Sequence, residues 1–242
     1  MVRLASRLSR SLLVAGIGVF LTSVAFAVPI YNPVTDFSIT NNPNGVWSLG
    51  TESALGGAFT AFSTPTANCT TANYQVWNNG GLCTAGPSVA NNATGGQFIG
   101  DGGSMTQQTT ELALNPSSTL FSVVRFTAPS TDVYFITGFF RAIDTQMGVQ
   151  GSDVHVVVNG TTVFSAGAFT YLLQQPINLT ETLLSGQTID FAVGNGGSAT
   201  NAVHQFVGLT TEINAAPEPS SVILIGIGSA LLVAVRKRRA RA

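Results

Sequence analysis

The stretch that most constrains this chain is Asn159-Gly160, flanked by residues 153–158 and 161–166. Both central positions of a two-residue type I′ turn need positive φ, which Asn and Gly tolerate, and the twist of that turn matches a pair of antiparallel strands. In the first arm Val154, Val156 and Val158 share one side, opposite Asp153, His155 and Val157. That is the period of a strand with one buried face. No stretch of the body carries a helical period of useful length, so the fold must be built from sheets.

The rest of the body follows the same grammar. Phe37 and Ile39 alternate with polar neighbours as a short strand, and Asn42-Pro43-Asn44-Gly45 supplies turn chemistry before Val46 and Trp47. Residues 56–103 are rich in Gly, Asn, Thr, Ser and Pro, with apolar bursts at 58–62, 74–77 and 97–99. Residues 111–114 and 120–127 alternate more clearly, with Val124 and Phe126 opposite Phe121, Val123 and Arg125. Further strands are expected at 132–141, 169–173, 177–179, 189–193 and 203–213. Roughly ten strands without a helix predict an all-β, two-sheet antiparallel sandwich over residues 28–216.

The two ends read differently. Arg3, Arg7 and Arg10 precede a nearly wholly apolar run at 11–24 and then Ala25-Phe26-Ala27. This predicts a secretory signal peptide over residues 1–27, cleaved after Ala27. At the other end Pro217-Glu218-Pro219 precedes an uncharged run from 220 to 235 and the cluster Arg236-Lys237-Arg238-Arg239. The basic cluster resists translocation and sets the orientation of the apolar run. As a helix those sixteen residues span roughly 24 Å against a hydrocarbon core of about 30 Å. Gly226 and Gly228 weaken it further. The predicted transmembrane helix is therefore short, and suited to a transient anchor.

Removing both ends changes the electrostatics. The whole chain has a net charge of −1, but residues 28–216 hold only Arg125 and Arg141 against ten carboxylates, a balance of −8, and no lysine. An acidic body of this kind is repelled by phosphate backbones, which argues against nucleic acid as a partner. Cys69 and Cys83, the chain's two cysteines, both lie in the exported part. An oxidising compartment predicts a disulfide closing a loop of about fifteen residues, worth roughly 3 kcal/mol.

The tail, with Pro217-Glu218-Pro219 ahead of an apolar run and a basic cluster, resembles the PEP-CTERM sorting signal of bacterial surface proteins. The resemblance implies that residues 217–242 are recognised and processed by an exosortase-type membrane enzyme. It also implies an exported protein of the cell envelope, cell surface or extracellular matrix. The Asn-Pro-Asn-Gly-Val-Trp opening at 42–47 is similar to openings in other PEP-CTERM proteins. Between Val123 and Ile213, the Val-Arg-Phe-Thr-Ala-Pro strand, the Val-Val-Val-Asn-Gly hairpin and the Leu-Ser-Gly-Gln-Thr-Ile-Asp-Phe strand resemble the jelly-roll modules of bacterial surface and carbohydrate-binding proteins. That likeness implies the fold more than a ligand.

Function follows less directly. Sugars stack on exposed aromatic rings, so Trp47, Tyr74 and Trp77 are the candidate ligand platform for a surface or matrix polysaccharide, against the alternative that these rings fill the core. Calcium needs several hard oxygens, and Asp101, Asp144 and Asp153 are the loop carboxylates that could supply them. His155 and His204 could serve as bases, but no nucleophile elbow accompanies them. Arg125 and Arg141 are expected to be structural partners of acids such as Asp132 or Asp144. These readings predict a structural or adhesive, non-enzymatic exported protein, with a carbohydrate-binding module as the alternative.

Overall fold

The computed structural model describes residues 29–147, 151–168, 170–197 and 204–216. The expected signal peptide and the Pro217-Glu218-Pro219 segment with its apolar run lie outside the described residues. Among the described residues no helix is long and apolar enough to cross a membrane.

The first half of the body is made of short strands: β1 (Ile30–Tyr31), β2 (Trp47–Glu52), β3 (Thr60–Ala61), β4 (Thr64–Thr66), β5 (Tyr74–Asn78), β6 (Ser88–Asn92), β7 (Phe98–Gly100), β8 (Met105–Gln107) and β9 (Leu112–Asn115). The second half is longer and more regular: β10 (Phe121–Thr127), β11 (Asp132–Ala142), β12 (Ser152–Val158), β13 (Thr161–Ala168), β14 (Gln174–Leu183), β15 (Thr188–Gly194) and β16 (Val207–Ala215). An eight-stranded sheet runs β14-β11-β16-β9-β6-β5-β4, with β1 on β16, and a six-stranded sheet runs β13-β12-β15-β10-β2-β3. The pairings are antiparallel. From β10 onward the chain passes back and forth between the sheets, which makes a jelly-roll-like sandwich.

Side-chain alternation sets the core. Val124 faces Leu49 and Phe191 on its neighbouring strands, and all three point between the sheets. Val154, Val156 and Val158 do the same on β12, as expected. From the other sheet Ile136, Phe140, Leu114, Leu209 and Ile213 close onto them. The β12–β13 turn has Asn159 at φ 49° and Gly160 at φ 80°, the pair of left-handed residues that a type I′ turn requires.

Several expectations change. Phe37 and Ile39 lie in irregular backbone rather than a strand, Phe37 just after a turn and Ile39 in a bend, although both pack on the core. Asn32 Oδ1 accepts the Val34 N–H at 2.9 Å and Ser38 Oγ accepts the Asn41 N–H at 3.0 Å, local bonds that compete with a ladder. Of the expected strand at 169–173, Phe169 lies outside the described residues and 170–173 turn, with Leu172 at φ 64°; pairing starts at Gln174. The last strand starts at Val207 rather than 203 and continues to Ala215.

Candidate functional site

The outer face of the eight-stranded sheet carries a second, smaller apolar cluster. Tyr74 and Val76 of β5, Ala90 of β6 and Ala113 of β9 form its floor, because they alternate with the residues that face the main core. Cys69 from the β4–β5 loop and Phe98 and Met105 from the β7–β8 hairpin cover this floor. Cys69 and Cys83 are joined as expected, with Cα atoms 5.8 Å apart, and this bond ties the loop between β4 and β5 to the loop between β5 and β6.

Between the disulfide loop and the β7–β8 hairpin opens a cleft of about 610 Å³. Thr70, Thr71, Thr84, Thr94 and Gln97 supply its polar walls, while Tyr74, Val76, Ala90, Phe98 and Ala113 supply its apolar surface. A polar network behind the floor holds it in place. The Tyr74 hydroxyl donates to Gln107 Oε1 at 2.7 Å, and Gln107, wholly buried, donates in turn to the Ala90 and Glu111 carbonyls. Glu111 is neutralised by Arg141 at 2.6 Å. Burial, reinforced by the charge of Glu111, pushes the Tyr74 hydroxyl up from its ordinary value, so it acts as a neutral donor.

The three expected platform rings are not exposed. Trp47 is 4% accessible and Tyr74 and Trp77 are 5% accessible. Period-two alternation turns both indoles toward the core, beside Leu49 and Val89. Each indole N–H has a fixed acceptor in the N-terminal segment: Asp36 Oδ2 at 3.1 Å for Trp47 and the Ser38 carbonyl at 2.7 Å for Trp77. Trp47 reaches only the edge of a more open hollow lined by Tyr31, Asp36 and Phe37. Tyr74 faces the cleft, but Phe98 is stacked on it at 3.8 Å between centroids. The two indoles are therefore structural, since a large ring that finds a donor or acceptor and an apolar neighbour gains more from burial than from exposure, whereas Tyr74 is part of the cleft floor beneath Phe98.

The three candidate calcium carboxylates, Asp101, Asp144 and Asp153, divide between two sites. Asp101, Asp144 and His204 bring their ligand atoms within 4.8 Å of one another. Asp153 does not join them: it accepts from the Gly196 N–H at 2.6 Å and contacts His155 Nε2 at 2.7 Å. Burial alone would raise the Asp153 carboxyl, but the bonds from His155 and Gly196 prevail and hold it below the usual carboxylate range. The arginines are structural, as expected, with other partners: Arg125 lies between Glu52 and Asp190, and Arg141 binds Glu111. Phe98, Gln107 and the grouping of His204 with Asp101 and Asp144 were not legible in the sequence, since no spacing relates positions so far apart.

No curated protein matches the chain significantly. Solved structures similar to it include a CBM51 module from Clostridium perfringens GH95 in complex with methyl-galactose, at 17% identity and a TM-score of 0.34, covering 49% of this chain and 78% of that one. A family 35 carbohydrate-binding module from an environmental isolate is similar at 14% identity and a TM-score of 0.30, covering 71% of this chain and 98% of that one. The tandem CBM51 modules of Sp3GH98 from Streptococcus pneumoniae are similar at 12% identity and a TM-score of 0.39, covering 69% and 48%. At these scores the likeness bears on neither ligand nor site. The tail is more specific: the family model for the PEP-CTERM protein-sorting motif matches residues 215–239. That motif implies processing by an exosortase at the membrane. The chain is thus an exported protein that carries a PEP-CTERM protein-sorting motif and is anchored in the membrane transiently before processing.

Proposed function

We propose that this chain is a non-enzymatic protein of the cell surface or extracellular polymer matrix, which adheres to neutral matrix polysaccharide through the cleft on the outer face of the eight-stranded sheet. The observation that supports this reading is the lining of the cleft, where threonine hydroxyls and the Gln97 amide surround an apolar floor. A sugar ring has the same two-sided chemistry, with hydroxyls at its edge and C–H groups on its face. The excess of carboxylates over arginines in residues 28–216 disfavours anionic polymers. Among the described lining residues Asp101 is the sole carboxylate, so the paired carboxylates of glycoside hydrolysis have no counterpart there.

The test is affinity electrophoresis of the full chain in detergent through gels containing neutral or acidic polysaccharides. Retardation by a neutral polymer, weakened about tenfold (about 1.4 kcal/mol) in a Thr71→Ala, Gln97→Ala double variant, is the expected result. Retardation by none of them overturns adhesion through the cleft and leaves a purely structural role. Release of reducing ends from any of these polymers overturns the non-enzymatic assignment.

A further inference from the structure

Three side chains far apart in sequence meet where the β7–β8 hairpin joins the end of the eight-stranded sheet. Asp101 sits in the turn after β7, Asp144 just beyond β11 and His204 just before β16. Backbone bonds hold these segments together: Thr106 N–H to the Ile143 carbonyl at 2.8 Å, Thr145 N–H to the Ser104 carbonyl at 2.9 Å, and Ile143 N–H to the Phe206 carbonyl at 3.1 Å. His204 Nδ1 lies 2.7 Å from Asp101 Oδ2, 3.3 Å from Asp144 Oδ2 and 3.4 Å from Ser104 Oγ.

One imidazole nitrogen is shared by two carboxylates in this cluster. One ring nitrogen carries at most one hydrogen, and the nearest acceptor is Asp101. The Asp144 side chain is wholly buried; its Oδ1 accepts the Gln146 N–H at 2.8 Å, and its Oδ2 shares the His204 Nδ1 with Asp101, at the longer distance of 3.3 Å. The other buried carboxylates of the two sheets, Glu52, Asp190 and Glu111, are each paired with an arginine. Those two arginines are the only Lys or Arg residues between positions 28 and 216, so the one basic group beside Asp144 is the His204 imidazole that it shares with Asp101. A buried carboxylate beside a second carboxylate calls for a cation.

We propose that Asp101, Asp144 and His204 bind a divalent transition-metal ion of the zinc class. One imidazole nitrogen and two carboxylate oxygens make a three-ligand set that leaves a fourth position open. Calcium takes six to eight oxygen ligands, so the nitrogen decides against calcium, the alternative that the carboxylates alone had offered. Tetrahedral ligands about 2.0–2.2 Å from zinc lie roughly 3.4 Å from one another. The 3.3 Å between His204 and Asp144 already fits, while the 2.7 Å between His204 and Asp101 must open by over half an ångström. Asp101 can make that movement, because its side chain is 37% exposed on a surface turn. Asp101 also lines the cleft, so the ion fastens one cleft wall to the sheet.

The experiment is isothermal titration of the chelator-treated full chain in detergent with zinc chloride, repeated with calcium chloride. The expected result is one zinc per chain, with affinity lowered at least about tenfold in His204→Ala and in Asp101→Asn, and unchanged in His155→Ala. The two ligand variants alter partly exposed side chains and spare the buried Asp144. Absence of zinc binding, equal binding in His204→Ala, or equal loss in His155→Ala overturns the site. Calcium binding at these residues in place of zinc overturns the choice of metal. Polysaccharide is absent from the titration, so its outcome is independent of the adhesive role.

Discussion

On the six-stranded sheet, residues 53–59 lie close over the outer face, and the Phe59 ring rests 4.2 Å from the Arg125 guanidinium. Gly50 makes room for that approach: a Cβ there would come within 2.6 Å of the ring. Beneath the loop Arg125 bridges the buried Glu52 and Asp190. The outer face of the eight-stranded sheet is closed by a disulfide loop and a hairpin over an apolar floor, and there the cleft remains. A loop seated on a charged side chain has to follow the sheet surface to bury that charge. Two loops tied to each other by a covalent bond can stand away from the sheet. The binding candidate therefore lies on the side whose cover depends least on ion pairing.

Removing each fastening tests this contrast. Arg125→Leu leaves two buried carboxylates unpaired and is expected to cost about 3–5 kcal/mol in urea unfolding. Arg141→Leu leaves only Glu111 and should cost less; equal costs would show that the six-stranded face has no special reliance on charge. Next in size, the Cys69→Ala, Cys83→Ala double variant should lose roughly 3 kcal/mol, the loop-closure value for about fifteen residues. Its hydrogen exchange should rise around β5 to β8 while β10, β12 and β15 stay protected. A uniform rise across both sheets would mean that the disulfide supports the whole sandwich rather than one face.

The smallest effect is in the pH dependence of the melting temperature, where the two acids on the six-stranded sheet act with opposite sign. Burial, then the charge of Asp190, raises the Glu52 carboxyl against the opposing Gly56 N–H and Arg125. The folded state then holds that proton more tightly than the unfolded chain, whose value is about 4.3. Its contribution is present below that value and is lost as pH rises through the folded one. Asp153 is held low, so its contribution is present above about 3.9 and is lost as pH falls through its folded value. Glu52→Gln should flatten the loss on the rising side and Asp153→Asn the loss on the falling side. The same change of slope in both variants would contradict the opposite signs.

Much of the sandwich was readable because a strand's alternation is local. Val154, Val156 and Val158, the Asn159-Gly160 turn, and Val124 with Phe126 are placed as their spacing predicts. The short strands β3, β4, β7 and β8 were less readable, since two or three residues carry no period. The candidate site was hardest. Trp47 and Trp77 have the composition of a sugar platform, yet their face is set by strand register and their N–H groups by partners eleven and thirty-nine residues away.

Local chemistry along the chain thus specified a sorting tail, an acidic lysine-free body, a disulfide between the only two cysteines and an antiparallel sandwich. Each of these follows from neighbouring residues, from counting, or from a period of two. Tertiary structure alone decided which aromatic rings were buried, which acids each arginine neutralises, where the cleft opens, and that Asp101 and Asp144 meet His204. Those contacts join positions separated by as many as 103 residues, Asp101 to His204, and they exist only once the two sheets have fixed which face each residue occupies.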